Sequence, residues 1–190
     1  MNHCSACGSA VALAVPDGDN RERHICPACG LIHYQNPKLV SGCVPIWQGQ
    51  ILLCRRAIEP RRTYWTIPAG FLELGESLEE AAAREAYEEA LAQVRIESLF
   101  AMIDVVRAGQ VHVMYTAELV DGQFGVGEES LEAALFEVEN IPWRDLAFPS
   151  VQFTLERFVA EPPTEFAPVH TVALGDTAGR DLNGWPNGGS

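Results

Sequence analysis

The chain has 190 residues, enough for one full-sized domain with a small appendage but too few for two ordinary domains. Its formal net charge of −13 argues against sequence-independent binding to nucleic-acid backbones. No apolar run reaches the roughly 20 residues of a membrane-spanning helix, and the N-terminus lacks the order of a signal peptide. We therefore expect a soluble cytoplasmic protein with reduced cysteines.

Four cysteines near the N-terminus have the spacing of a zinc ribbon. Cys4 and Cys7 form one C-x2-C pair, Cys26 and Cys29 form another, and 18 residues lie between the pairs. A glycine follows each pair, in CSACG and CPACG, and permits the left-handed turn that directs backbone N–H groups toward thiolate sulfur. The alternative is two disulfides. We favour zinc in a structural role, because four thiolates leave no coordination position open.

The predicted ribbon covers residues 1–36 and is too small to bury a core of its own, so its folding depends on the metal. The polar run PDGDNRER between the cysteine pairs is typical of a hairpin tip. The other two cysteines, Cys43 and Cys54, lie in apolar strand-like runs. We expect both to be buried, unreactive thiols.

From Lys38 onward, short apolar runs alternate with turns and with two stretches of helical period, which predicts an α/β domain with a mixed sheet over residues 37–161. The predicted strands are 40–47, 50–55, 95–105, 110–119 and 133–138, and the predicted helices are 77–90 and 150–160. Residues 162–190 form a predicted tail that is partly flexible, with its last fifteen residues mobile. Trp185 in that tail is a stray aromatic or a docking residue at a dimer contact.

Seven glutamates lie between Gly70 and Ala92, and their placement is informative. Ser77 and Glu80 form a capping box that begins the helix. Helical spacing places Leu78, Ala81, Ala82, Glu85, Glu88 and Glu89 on one face. Three mutually repelling carboxylates therefore continue an apolar stripe. The nearest cation, Arg84, is expected to pair with only one of them, so we favour a divalent metal over a partly exposed acidic face.

The same segment resembles the Nudix box, G-x5-E-x7-R-E-U-x-E-E-x-G-U, in which U is apolar. Gly70, Glu76 and the run REAYEE from Arg84 match it. Where the box has its late glycine, this chain has Leu91. That glycine normally ends the helix in a left-handed turn, so the departure concerns the helix exit and not the ligands.

The resemblance implies a Nudix α/β/α sandwich preceded by a small zinc ribbon, and hydrolysis of a nucleoside diphosphate linked to another moiety. The positions it assigns to Mg²⁺ or Mn²⁺ are Glu85 and Glu89, with Glu88 for a further ion and the carbonyl of Ala69. Arg84 is implied to orient a glutamate, and Glu76 to brace the loop. The ions neutralise the diphosphate and lower the pKa of an attacking water.

Residues 26–160 are similar to a branch whose plant relatives are FAD and ADP-ribose pyrophosphatases. The other zinc-ribbon branch, the NADH and NAD-cap pyrophosphatases, carries SQPWPFP downstream of the box, where this chain reads SLFAMIDVVRAGQ. The resemblance thus implies FAD or ADP-ribose as substrate, with AMP released, and NADH as the alternative. A further alternative is a non-catalytic protein that only binds nucleotides or protein partners. The main interpretation also includes a homodimer with a small nucleotide substrate and no nucleic-acid or membrane partner.

Several residues outside the helix are candidates for chemistry or substrate contact. A general base often comes from a loop that closes over the substrate. Glu129 is our first choice, and the alternatives are Glu73, Glu128, Glu132 or a solvated loop acid with no role.

Arg55 and Arg56 are candidates to clamp phosphate, with surface ion pairs as the alternative. Trp65, with Tyr64 beside it, is a candidate wall for adenine or flavin, with plain packing as the alternative. His112 is expected to be structural.

Overall fold

The computed structural model describes residues 1–162 and 168–175, and the chain divides after Pro37 into two compact units. Across the described residues, no helix is both long enough and apolar enough to cross a membrane. The segment 176–190, which we expected to be mobile, and Trp185 within it lie outside the described residues.

The first unit is a three-stranded antiparallel sheet. Its strands are β1 (Ala12–Ala14), β2 (Arg23–Ile25) and β3 (Ile32–His33), in the order β1-β2-β3. Ala12 pairs with Ile25 and Ala14 with Arg23, so the polar segment 15–22 joins β1 to β2 as a hairpin connection. The predicted hairpin tip therefore forms. Because β1 and β2 are antiparallel, the cysteine pair before β1 and the pair after β2 lie at the same end of the hairpin.

The four ribbon cysteines form one cluster. Their sulfur atoms all lie within 4.8 Å of one another, with 3.4 Å between Cys7 and Cys26 and 3.7 Å between Cys4 and Cys29. All four are free, so the disulfide alternative is wrong. Four thiolates bound to zinc at about 2.3 Å in a tetrahedron lie about 3.8 Å apart, close to the observed spacing.

The glycines after each pair adopt the left-handed turns that the sequence predicts. Gly8 has φ 74° and Gly30 has φ 75°. Their N–H groups donate to the carbonyls of Cys4 and Cys26, at 3.0 and 2.8 Å. In the first turn the N–H of Ala6 also donates to the Cys4 sulfur at 3.4 Å. The repeated five-residue unit is thus a pair of metal-binding knuckles built in the same way.

The second unit is built on an eight-stranded mixed sheet. Its strands are β4 (Lys38–Trp47), β5 (Gln50–Arg56), β6 (Trp65–Thr66), β7 (Ala69–Phe71), β8 (Val94–Val105), β9 (Gln110–Leu119), β10 (Ser130–Phe136) and β11 (His170–Leu174). The main order is β10-β5-β4-β9-β8-β11, while β6 pairs with β5 and β7 pairs with β4. The pairs β4–β9 and β8–β11 are parallel and the others are antiparallel, which confirms the mixed sheet.

Two helices cover opposite faces of this sheet. Helix α1 (Leu78–Ala90) packs through Ala82 and Ala86 in a cluster with Val113 of β9. Helix α2 (Pro149–Ala160) packs through Val151, Leu155 and Phe158 into a separate, larger core. Successive strand residues point to alternate faces, so β4, β8 and β9 each supply residues to both clusters. The three layers confirm the α/β/α sandwich.

Strand β11 was not predicted. It lies inside the segment that we expected to be a tail and pairs in parallel with β8, His170 opposite Ala101. The His170 ring also packs edge-on against Phe100, with 5.0 Å between ring centroids. Its five residues stand between proline-rich and glycine-rich segments, and so short a run gives little periodic signal. The tail expectation is wrong for these residues.

We expect the ribbon to hold one zinc ion per chain through its four thiolates. Cys26→Ala should lose that ion, because three thiolates no longer close the tetrahedron. Cys43→Ala is the matched control, since Cys26 and Cys43 are both 0 % exposed and only Cys26 belongs to the cluster. Metal content measured after gel filtration checks this, and full zinc occupancy in the Cys26 variant would contradict it.

Candidate active site

Helix α1 starts at a complete capping box, as the sequence predicts. The Ser77 hydroxyl accepts the N–H of Glu80 at 3.2 Å, and the Glu80 carboxylate accepts the N–H of Ser77 at 2.7 Å. These two bonds satisfy N–H groups that have no partner within the helix. The start of the helix, and hence the rotation of every later side chain, is fixed by its own sequence.

The helix ends in a left-handed turn even though the box glycine is absent. Leu91 adopts φ 49° and ψ 24°, and its N–H donates to the Tyr87 carbonyl at 2.8 Å. The next N–H, of Ala92, donates to the Ala86 carbonyl at 3.2 Å. A leucine therefore takes the conformation that usually favours glycine, and the helix exit is retained.

The three box glutamates have different environments. Glu89 is 6 % exposed, the Glu85 side chain is largely buried, with 12 % of it exposed, and Glu88 is exposed. The buried face of α1 includes Ala86 and Ala90 instead of Glu88, so the predicted face is wrong at this position. Adjacent helical residues differ by about 100°, which leaves Glu88 on the flank when Glu89 points inward.

Arg84 connects the carboxylates of the site. It forms a bidentate pair with Glu76, at 3.0 and 2.8 Å, and its Nη1 donates to Glu85 at 2.6 Å and to Glu88 at 2.9 Å. The expectation that it pairs with only one glutamate is wrong, because a planar guanidinium offers donors in several directions. Arg84 also donates to the Phe71 carbonyl at 3.1 Å, which ties the helix to the loop before it.

Glu76 joins Arg84 to residues 72–77, the segment between β7 and α1 that we call the box loop. Its second contact is with the loop backbone, where it accepts the N–H of Glu73 at 2.7 Å. The Arg84 guanidinium, and then this backbone bond, lower the pKa of Glu76 to about 2. Glu76 thus stays ionised at neutral pH and joins the loop to the helix.

The surroundings of Glu89 destabilise the ionised form of its carboxylate. Burial, and then the charge of Glu85, raise the pKa of Glu89 to about 8, while Arg56 and a backbone hydrogen bond from Ala69 act in the opposite direction. Burial also raises the pKa of Glu85, against the effect of Arg84. Two buried carboxylates that repel each other are favoured when a cation joins them.

The residues fit a divalent cation of the magnesium type. Glu85 comes so close to β7 that a Cβ added to Gly70 would lie 2.2 Å from its carboxylate oxygen. Among the described residues, only the four cysteines bring three or more His, Cys, Asp or Glu ligand atoms within 4.8 Å of one another, so the glutamates alone do not form a closed set of ligands. The glutamates thus supply two buried carboxylates and leave further positions to water and substrate oxygens, which is how Mg²⁺ is usually held.

These groups line a cavity of about 930 Å³, which we call the acidic cavity. Its acidic lining residues are Glu73, Glu85, Glu88, Glu89, Glu128 and Glu129. The charge of Glu129 raises the pKa of both Glu85 and Glu89, so this loop residue lies near the buried pair. Arg84 and Arg56 line the same cavity, as does Ala69.

A second cavity of about 570 Å³, the apolar cavity, lies on the other side of Ala69, Gly70 and Phe71, which line both. Its lining includes Val40, Val105, Met114, Phe148, Val151 and Leu174. His112 is also on its wall, and burial lowers the pKa of this histidine. The sequence did not single out Phe71 or Phe148. The one available signal was that Phe148 immediately precedes the helix-starting Pro149.

Four of the candidates line neither cavity: Arg55, Tyr64, Trp65 and Glu132. Arg55 contacts Glu132 at 3.4 Å and donates to the Thr63 carbonyl, and Trp65 packs edge-on against Phe136 at 4.9 Å between centroids. For Arg55 and Trp65 the alternatives, a surface ion pair and packing, describe the structure. The physical reason is strand alternation, which turns Arg55 and its partner Trp65 away from the face that Arg56 shares with α1.

Two protein families match this chain, one on each of its two compact units. The family of Nudix N-terminal zinc ribbons matches residues 2–35, and the NUDIX domain matches residues 37–158, which is more than half of the chain. The chain belongs to the Nudix family. A NUDIX hydrolase of known crystal structure from Nitrosomonas europaea is 45% identical, with a TM-score of 0.87 over 92% of this chain and 99% of that one.

Relatives with named activities are more distant Nudix hydrolases. The ADP-ribose pyrophosphatase of Methanocaldococcus jannaschii is 26% identical over 113 residues, which cover 57% of this chain and 67% of that protein. The NAD-capped RNA hydrolase NudC of Photobacterium profundum is 30% identical over 139 residues, covering 72% of this chain and 49% of that protein. The chain thus spans about half the length of this second relative.

The raised pKa of Glu89 predicts how metal-free protein responds to pH. Between about pH 4.5 and 8 the folded state holds a proton that the unfolded state releases, so stability falls as pH rises, by at most about 1.4 kcal/mol per pH unit. Glu89→Gln should remove this fall, and the exposed Glu79→Gln should not. Melting curves from pH 5 to 8 measure it, in buffers freed of divalent ions but without chelators, which would extract zinc. Equal slopes in wild type and Glu89→Gln would contradict the assignment.

Proposed function

We propose that this protein is a Mg²⁺- or Mn²⁺-dependent pyrophosphatase that cleaves a nucleoside diphosphate derivative and releases AMP. ADP-ribose and FAD are the leading substrates. The observation that supports this most is the buried pair Glu85 and Glu89 in a cavity that also holds Arg56 and adjoins an apolar one. Such a combination suits a ligand with a diphosphate in its middle and an aromatic ring at one end.

In this proposal Glu85 and Glu89 hold the ions, and Glu88 joins for a further ion from its exposed position on the flank. The bound ions supply charge neutralisation of the diphosphate and acidify a water. Arg84 keeps Glu85 in place through its 2.6 Å contact, and Glu76 anchors Arg84 in turn. The Ala69 carbonyl is the remaining protein ligand that the box resemblance implies.

Glu129 is the proposed general base. Its loop lines the acidic cavity together with the C-terminal half of α1, and the charge of Glu129 raises the pKa of both Glu85 and Glu89. A carboxylate in that position can accept the proton of a water that attacks phosphorus. Arg56 is the proposed phosphate clamp, since it lines both cavities and its backbone is held by the Tyr64 carbonyl at 2.9 Å.

The apolar cavity is the proposed site for the nucleoside. Phe71 and Phe148 line it, and an Arg56 guanidinium lies over the Phe148 ring at 5.1 Å. Aromatic walls bind flat heterocycles through stacking and burial of apolar area. This cavity replaces Trp65 as the candidate wall.

NADH and NAD-capped RNA are the second candidate substrates, because the NudC relatives bear the latter activity in their name. The net charge of −13 disfavours the RNA body of such a substrate. The proposal also includes a structural zinc in the ribbon, a homodimer and the domain division at residues 36 and 161. The non-catalytic alternative is disfavoured because none of the box carboxylates is replaced.

We expect Glu85→Gln to lower kcat at least 10³-fold, because it removes a buried metal ligand. Glu129→Gln should lower kcat about 10²-fold, because it removes the general base. Glu132→Gln is the matched control from the same region of chain, because its carboxylate meets Arg55 at 3.4 Å and lines neither cavity. Coupled phosphate release from ADP-ribose, FAD and NADH, with Mg²⁺ and then Mn²⁺, measures all three. No turnover of any substrate by wild type would sink the proposal.

A further inference from the structure

Leu91 departs from the box at a position where a side chain carries a conformational cost. Its φ of 49° lies in the left-handed region that non-glycine residues rarely adopt. The side chain is 48 % exposed, so burial does not account for a leucine here. Its side chain instead lies against the loop that carries Glu129.

The segment 123–129, which we call the base loop, is fastened to the C-terminal end of α1. The N–H of Gly125 donates to the Ala90 carbonyl at 2.7 Å, and the N–H of Gly127 donates to the Glu89 carbonyl at 3.0 Å. The approach is so close that a Cβ on Gly127 would lie 1.7 Å from the Glu88 carbonyl oxygen. The last turn of α1 therefore satisfies its free carbonyls with this loop.

Leu91 covers the first of these bonds. A Cβ added to Gly125 would lie 3.0 Å from Leu91 Cδ1, so the leucine side chain rests directly on the Gly125 backbone. Leu91 and the base-loop residues Val126 and Gly127 then line the acidic cavity together. Beyond them, Glu129 is fixed from the other side, because its carbonyl accepts the N–H of Ala57 at 2.8 Å.

We propose that Leu91 is a positioning residue that holds the base loop on α1 and thereby sets the distance between Glu129 and the metal-binding glutamates. This rests on the proposed function, in which Glu129 is the general base. The leucine has no contact of its own with the reacting atoms in this account. Its contribution is to keep the loop in place, and the cost is the strained backbone at the helix exit.

Leu91→Gly separates these two effects. Glycine adopts the left-handed turn freely, so the melting temperature should stay equal or rise, while kcat falls about tenfold with KM unchanged within twofold. Backbone amides of residues 123–129 should exchange with solvent at least tenfold faster. Gln48→Gly is the matched control, because Gln48 has φ 50° in the turn between β4 and β5 and lines neither cavity. It should change only the melting temperature, and leave kcat, KM and the exchange rates of residues 123–129 unchanged.

Gly125→Ala tests the same contact from the loop, and it should also lower kcat. In a Glu129→Gln background, Leu91→Gly should cause no further loss, since both changes act on one group. A tenfold further loss in that background, or wild-type kcat and exchange rates in Leu91→Gly, would overturn the proposal. If wild type turns over no substrate, the proposed function fails, and the exchange rates alone still decide whether Leu91 holds the loop.

Discussion

The structure depends on the burial of two carboxylates, Glu85 and Glu89, on the face of α1 where apolar residues normally lie. Apart from Glu89, the fully buried residues of the helix are all alanines, and Glu85 reaches the Gly70 backbone. Arg84 offsets part of the repulsion, but its guanidinium faces Glu85 and Glu88, and burial still raises the pKa of Glu89 to about 8. A bound cation would stabilise both carboxylates in their ionised form.

The surroundings of the pair restrict its motion from three directions. The capping box fixes where α1 begins, Glu76 and Arg84 tie the box loop to it, and the base loop covers its end. The first and the third of these connections use backbone groups that the helix itself leaves free. In the proposed function, this constrained pair would hold the ions that bind a diphosphate as charge develops on it.

Apolar periodicity predicted both helices and the mixed sheet, and the C-x2-C spacing predicted the cysteine cluster. Helical spacing together with the box predicted the inward position of Glu85 and Glu89. These features rest on local periodicity and on ligand spacing, which a sequence displays directly. Helical spacing did not predict that Arg84 contacts several glutamates at once, because its partner Glu76 lies eight residues away in a loop of no regular period. Arg55 was placed with Arg56 because neighbours in sequence look equivalent until strand alternation separates them. The apolar cavity joins residues from distant strands, so no short motif records it.

The most direct measurement of this account is anomalous scattering from crystals soaked in Mn²⁺ with a substrate analogue whose bridging oxygen is replaced by methylene. We expect a manganese peak about 2.1 Å from carboxylate oxygens of both Glu85 and Glu89, with analogue phosphate oxygens in the same coordination sphere. The buried Glu89 should keep that peak at manganese concentrations where exposed sites are empty. A manganese ion bound only to exposed glutamates such as Glu73 and Glu88, with Glu89 free of metal, would contradict the account.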